Sequence, residues 1–314
     1  MEFKFMKLIS IVSPCYNEQE NVKSLYEEVK KQFELLPQYK YEHIFIDNSS
    51  KDKTVEILKS IAEQDENVKV IVNSRNFGHI RSPYYAMLQA KGDAVISLVS
   101  DLQDPPELIP ELIKKWEEGF KIVVGVKEQS EENFIFFKLR KMYYNLVTKL
   151  SEVELIKNFT GFGLYDNVVI KHLREINDNY PYFRGLICEV GFEKAIIKYK
   201  QPLRKRGITK NNFFTLYDIA MLGITSHSKV PLRLATMFGF LTAILSLIAA
   251  IIYLVFKIIY WDSMPMGQAP LLIGLFFFSS VQLIFIGIIG EYIGNIHTHI
   301  LNRPLVIEKE RVNF

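Results

Sequence analysis

Ser97-Leu98-Val99-Ser100-Asp101-Leu102-Gln103-Asp104-Pro105-Pro106-Glu107-Leu108 closes an apolar run that begins at Ala94. Ala94, Val95, Ile96, Leu98 and Val99 read as a buried strand, and the two prolines forbid its continuation because each lacks an amide donor and fixes its own φ. Asp101, Gln103 and Asp104 therefore stand at the C-terminal end of a strand, the edge at which open α/β sheets hold ligands. Asp104 immediately precedes a proline-initiated helix and would serve equally well as its cap.

Working outward, residues 8–13, 41–47 and 68–73 predict three further strands, and residues 122–126 a fifth. Helical periods over 20–33, 54–62, 82–91 and 106–118 alternate with them. That alternation implies an α/β fold with a mainly parallel sheet and helices on both faces, whose ligand edge gathers Asn17, Asp47 and Asp101. Past Val126 the pattern weakens. Residues 134–150 predict an amphipathic helix, residues 158–166 a tight loop around Gly161 and Gly163, and residues 204–210 form the most basic run of the chain.

Two blocks, 234–256 and 269–290, carry no charge, and each exceeds the roughly 20 apolar residues that a bilayer core requires. Lys229 and Arg233 precede the first; Arg303, Lys309 and Arg311 follow the second; the loop between them offers only Lys257 and Asp262. This asymmetry expects both ends on the cytoplasmic side of an inner membrane. The short, charged start, residues 1–7, is no secretory leader. The expected organisation is thus a cytoplasmic catalytic domain (1–212), an interfacial helix (213–232), two transmembrane helices (233–296) and a cytoplasmic tail (297–314). A net charge of +3 argues against nucleic acid, and two isolated cysteines, Cys15 and Cys188, argue against a disulfide or a zinc site. Gly274, Gly287, Gly290 and Gly294 would let spans approach closely, which is compatible with a homo-oligomer.

The segments 13–18 (SPCYNE), Asp47 with Ser50 and Asp52, 74–79 (SRNFGH), 101–107 (DLQDPPE) and the two apolar blocks, in that order, resemble the family-2 inverting glycosyltransferases. Within them the chain is similar to the polyprenyl-phosphate glycosyltransferase group, to which bactoprenol glucosyltransferases and dolichol-phosphate mannose synthase belong. The resemblance runs from Leu8 to about Arg303. It implies a GT-A-like, Rossmann-like domain that transfers a single sugar, with inversion, from a nucleotide diphosphate sugar to undecaprenyl or another polyprenyl phosphate. A UDP-sugar such as UDP-glucose is the first choice of donor and a GDP-sugar the second.

The resemblance assigns roles residue by residue. Asp101 and Gln103 would bind Mg²⁺ or Mn²⁺, a hard cation that oxygen ligands suit and that would neutralise the departing diphosphate. Asp101, Asp104 and Asp166 form the expected catalytic set. Pro14, Tyr16, Asn17, Glu18, Asp47, Asn48, Ser49 and Asp101 would hold the nucleotide; Lys127, Arg140, Arg204, Arg206 and Lys210 would hold phosphates on the acceptor side. A phosphate acceptor is already ionised at neutral pH, so no catalytic base is demanded.

Three departures stand out. Asn48-Ser49 replaces Asp-Gly, Val99 replaces the first carboxylate of an Asp-x-Asp pair, and Gly161-Phe162-Gly163-Leu164 replaces Asp-Phe-Arg-Leu, with Thr160 as a nearby polar substitute. They motivate two alternatives, a degenerate membrane-anchored sugar-nucleotide-binding partner and a synthase acting on a different acceptor. Against a processive synthase, the chain shows only two spans and no Gln-x-x-Arg-Trp motif; its tryptophans are Trp116 and Trp261.

Overall fold

The computed structural model describes residues 6–128, 155–202, 213–260 and 268–314. Helix 134–150 and the expected phosphate-binding Arg140, Arg204, Arg206 and Lys210 lie outside the described residues.

The first five strands fall where the apolar runs place them: β1 (Lys7–Cys15), β2 (Tyr39–Asp47), β3 (Val68–Asn73), β4 (Ala94–Ser97) and β5 (Ile122–Lys127). Helices α1 (Val22–Glu34), α2 (Thr54–Gln64), α3 (Gly78–Gln89) and α4 (Ile109–Glu117) connect them. There follow β6 (Phe159–Asp166), α5 (Asn167–Ile176), α6 (Phe183–Glu189) and β7 (Lys194–Tyr199), then α7 (Phe213–His227), α8 (Val230–Ile259), α9 (Gln268–Ile300) and β8 (Glu308–Val312). The eight strands form one sheet in the order β7-β5-β6-β4-β1-β2-β3-β8. Its strands are near-continuous runs of Val, Ile and Leu because both faces are covered. α1, α2 and α4 pack one face through Leu25, Val29, Leu58, Leu112 and Trp116. α3, α5 and α6 pack the other through Tyr84, Met87, Ile170, Leu173 and Ile187.

Two expectations are corrected. Residues 158–166 are not a tight loop: β6 is a buried strand inserted antiparallel between β4 and β5. Its glycines mark close backbone approach, which a loop-like composition conceals. A Cβ at Gly163 would clash with the Val123 carbonyl oxygen, so the arginine found at this position in the resembling family has no room here. The stretch after the second apolar block is not a free tail either. β8 pairs antiparallel with β3, aligning Val70 with Val312 and Ile71 with Arg311, and so closes that edge of the sheet.

α8 and α9 contain apolar stretches of 27 residues each, Val230–Phe256 and Gly274–Ile300, long enough to cross a membrane and largely unburied. α7 breaks at Ser228, whose carbonyl accepts from the Tyr292 hydroxyl of α9 at 2.6 Å, and Pro231 starts α8. The far end of α9 returns to the sheet domain: His299 Nε2 lies 3.2 Å from Asp178 Oδ1, and Asn179 Nδ2 donates to Asn302 Oδ1 at 2.7 Å.

Candidate active site

The turns after β1 and β2 are bonded to each other. The Asn17 amide donates to Ser50 Oγ (2.8 Å), the Lys51 amide to Asn17 Oδ1 (2.8 Å) and the Glu18 amide to Thr54 Oγ1 (2.9 Å). Asn17 and Ser49 both adopt left-handed backbone, φ +55° and +65°. Ser49 thus keeps the conformation that a glycine would adopt without strain. Asp47 is fully buried; its Oδ2 accepts from the Ser50 amide at 2.9 Å, while Oδ1 has no hydrogen-bond partner. Burial pushes its carboxyl above the usual aspartate range, against the hydrogen bonds from Ser50 and Ser49.

Asn48 explains its own departure from the resembling family. Its Nδ2 donates to Asn76 Oδ1 (2.9 Å) and to the Gly78 carbonyl (3.0 Å), while its Oδ1 accepts from the Phe77 amide (2.8 Å) and Asn73 Nδ2 (3.2 Å). The side chain ties the β2 turn to the segment between β3 and α3. A carboxylate keeps the accepting half but sets an anionic oxygen against two acceptors. Asn48→Asp is expected to lower stability by about 3 kcal/mol, the upper end of the cost of unsatisfied buried polar groups. Chemical denaturation measures it, and an unchanged midpoint would refute this role of the amide.

Asp101 is half-buried on the turn after β4. The Gln103 amide donates to its Oδ1 at 3.1 Å across Leu102, whose φ is +58°. Asp104 is not a helix cap. The 3₁₀ turn Pro106–Leu108 has Pro105 as its cap residue with no side-chain bond, and Asp104, 2% exposed, accepts from the Tyr199 hydroxyl of β7 at 2.6 Å. Burial pushes the Asp104 carboxyl up; the Tyr199 bond and the charge of Lys127 pull it down, and Asp101 pushes it up. Asp101, Asp104, Lys127 and Tyr199 thus act on one another at the ends of β4, β5 and β7.

Asp166 stands elsewhere. It pairs with Ala94 at the start of β4, the edge of the sheet opposite to Asp101. Its Oδ1 caps α5 through the Val168 amide (2.9 Å), and its Oδ2 accepts from Trp116 Nε1 (2.7 Å) and Lys121 Nζ (2.9 Å). Membership of the catalytic set is therefore corrected to a structural role.

Among the described residues no group of three or more His, Cys, Asp or Glu could hold a metal ion. Asp101 and Gln103 stand two positions apart on the turn after β4, both half-buried, and their side-chain oxygens are of the kind that suits a hard divalent cation. Val99 adds nothing to that set; its apolar side chain is 36% exposed.

Beside this turn, at the ligand edge of the sheet, lies a cavity of about 490 Å³. Pro14, Tyr16, Glu18 and Asn48 of the expected nucleotide set line it; Asn17, Asp47 and Ser49 support it from behind through the turn bonds above. Ser97, Val99 and Thr160 also line it, as do Ile80, Tyr182, Arg184 and Leu222. His79 and Arg184 carry no expectation from the sequence. His79 ends the quoted segment 74–79 yet received no role, and Arg184 reaches the cavity from α6 with no local motif to signal it.

Residues 10–183 match the family described as glycosyl transferase family 2. Over 301 residues the chain is 35% identical to the uncharacterized glycosyltransferase YkcC of Bacillus subtilis, covering 95% of this chain and 92% of that one. It is 34% identical to the prophage-derived bactoprenol glucosyl transferase of Shigella flexneri, covering 96% and 97%. Among solved structures it is similar to glucosyl-3-phosphoglycerate synthase from Mycobacterium tuberculosis in complex with Mn²⁺, UDP and phosphoglyceric acid, at 19% identity and a TM-score of 0.47 over 70% of this chain and 76% of that one.

Proposed function

The chain belongs to glycosyl transferase family 2, and from that premise we propose that it moves one sugar from a nucleotide diphosphate onto the phosphate of a polyprenyl carrier at a membrane surface. The first choice of sugar is glucose, the sugar named for the Shigella flexneri relative, and the first choice of donor is its UDP conjugate. One observation carries the reading: the same cavity is lined by the turns that would hold a nucleotide and by Leu222 of α7, the helix that leads into the first membrane-length stretch.

In this reading Pro14, Tyr16, Glu18 and Asn48 border the nucleotide, and Asp47, buried behind them, holds the β2 turn in place through the Ser50 amide. Asp101 and Gln103 are the residues that would hold Mg²⁺ or Mn²⁺, which when bound supplies neutralising charge to the leaving diphosphate. Asp104 and Tyr199 fix the turn that aims them, through a bond reaching from β7. Lys127 at the end of β5 lends the same region positive charge. The acceptor phosphate arrives ionised and attacks without a base, displacing the diphosphate with inversion in one step. α8 and α9 cross the inner membrane and keep the sheet domain on the cytoplasmic face.

Val99 favours a second reading. A valine at a carboxylate position suits a protein that binds a sugar nucleotide and does not turn it over. Incubation of the purified chain with undecaprenyl phosphate, divalent metal and a panel of labelled UDP- and GDP-sugars, followed by lipid extraction, separates the two. Label is expected in the lipid fraction from one donor; nucleotide-sugar binding with no labelled lipid from any donor overturns the transferase reading.

A further inference from the structure

Part of the cavity lining has no role in donor binding as described above. His79 stands in the first turn of α3 and Arg184 in α6, and both side chains border the same space. The protein packed around His79 and, next, the Arg184 guanidinium hold its imidazole below the ordinary histidine range. Arg184 offers a cationic fork of donors to this wall and His79 a ring N–H, groups that suit the oxygens of an anion. The carboxylates nearby are Asp218 of α7, whose charge opposes this effect on His79, and Glu18 on the nucleotide side. Adjoining the pair is an apolar cluster of Leu155, Tyr182, Cys188 and Leu222, with Ile80 and Ile224 packed on it. Leu222 belongs to α7, one short break before the membrane-length helix α8.

A ligand seated against Arg184, His79 and this cluster is anionic at one point and apolar immediately beyond it. We propose that His79 and Arg184 hold the phosphate of a lipid monophosphate, whose first isoprenyl units lie against Ile80, Tyr182 and Leu222. This assignment rests on the function proposed above and adds two residues to the acceptor side that the sequence motifs did not supply. His79 contributes a ring N–H to a phosphate oxygen, and Arg184 contributes the planar fork of donors that suits phosphate.

Equilibrium binding of undecaprenyl phosphate in neutral-lipid nanodiscs to the full chain, with UDP affinity measured in parallel, tests the site. Arg184→Met and His79→Gln are each expected to weaken lipid-phosphate binding by about tenfold or more, as loss of a charge-assisted bond does, and to leave UDP affinity nearly unchanged. Undecaprenol, which lacks the phosphate, is expected to bind wild type and variants alike. Lipid-phosphate affinity that is unchanged in both variants overturns the site, and so does an equal loss of UDP. Should Arg184→Met fail to fold, Arg184→Lys carries the same test: a smaller but selective loss of lipid phosphate supports the site, and no loss or an equal loss of UDP overturns it. Wild-type binding of the lipid phosphate without sugar transfer would overturn the function proposed above and leave this site standing.

Discussion

Asp101→Asn is expected to leave the protein folded and to reduce sugar transfer by roughly 10²–10³-fold or more, the loss found when one element of transition-state charge stabilisation is removed. The fold survives because the residue is half-buried and the bond from the Gln103 amide to its Oδ1 is equally available to the asparagine oxygen. The activity does not, because Asp101 is the one carboxylate of the proposed cation site once Val99 has replaced the other. A neutral amide binds a hard divalent cation far more weakly than a carboxylate does. Transfer of label to lipid measures the first effect. The concentration of Mn²⁺ needed for UDP binding measures the second and is expected to rise in the variant. Full turnover at ordinary metal concentrations would remove Asp101 from the site.

Deletion of residues 305–314 is expected to lower the unfolding temperature of the chain by about 6–12 °C, from a loss of at least about 3 kcal/mol in a domain of this size. The segment supplies the strand that closes the sheet, and much more besides. The Ser74 amide donates to the Ile307 carbonyl at 2.9 Å, Asn313 Nδ2 donates to the carbonyls of Ala62 (2.6 Å) and Val68 (2.9 Å), and the Tyr85 hydroxyl donates to Glu308 (2.8 Å). Val306 is 6% exposed, and burying such a side chain alone contributes about 1.5–3 kcal/mol. The exposed pairs Lys59–Glu310 and Arg311–Glu308 add little to that. Removal also bares the N–H and C=O groups along β3, so self-association is expected with the lower melting temperature. Thermal unfolding and light scattering of the truncated chain check both. An unchanged transition would mean that the edge strand contributes no stability.

The parallel core was legible because a strand covered on both faces is apolar throughout, and because each strand ends in residues that cannot continue it. Residues 68–73 are β3 without change of boundary, and β4 stops before the turn that carries Asp101. β6 was not legible. Gly161 and Gly163 have the composition of a loop, and only the neighbouring Val123 and Val124 backbone shows why a side chain is excluded at Gly163. β8 was hidden for a different reason: its sequence, Glu308-Lys309-Glu310-Arg311-Val312, is that of a solvated tail, which is also what a charged edge strand looks like.

The site divides along the same line. The turn of Asp101 and Gln103 can be read from consecutive residues, whereas the partner of Asp104 lies 95 positions away on β7. Asn48 seemed to have lost a carboxylate; the two donors of its amide are what Asn76 and Gly78 require. Asp166 fitted a catalytic set by motif alone, and the antiparallel direction of β6 carries it to the other edge.

The return of the chain to its own sheet changes what kind of object sits at the membrane. A domain held by one linker swings freely, and its height above the bilayer is an average over many poses. Here α7 rests on the domain through Leu222, the end of α9 is bonded to Asp178 and Asn179, and β8 is stitched into the sheet beyond it. The domain is fastened both before and after its apolar helices, by two attachments where a linker would give one. Under the proposed function, these two attachments would set the height of the cavity above the lipid headgroups, the level that the carrier's phosphate has to reach.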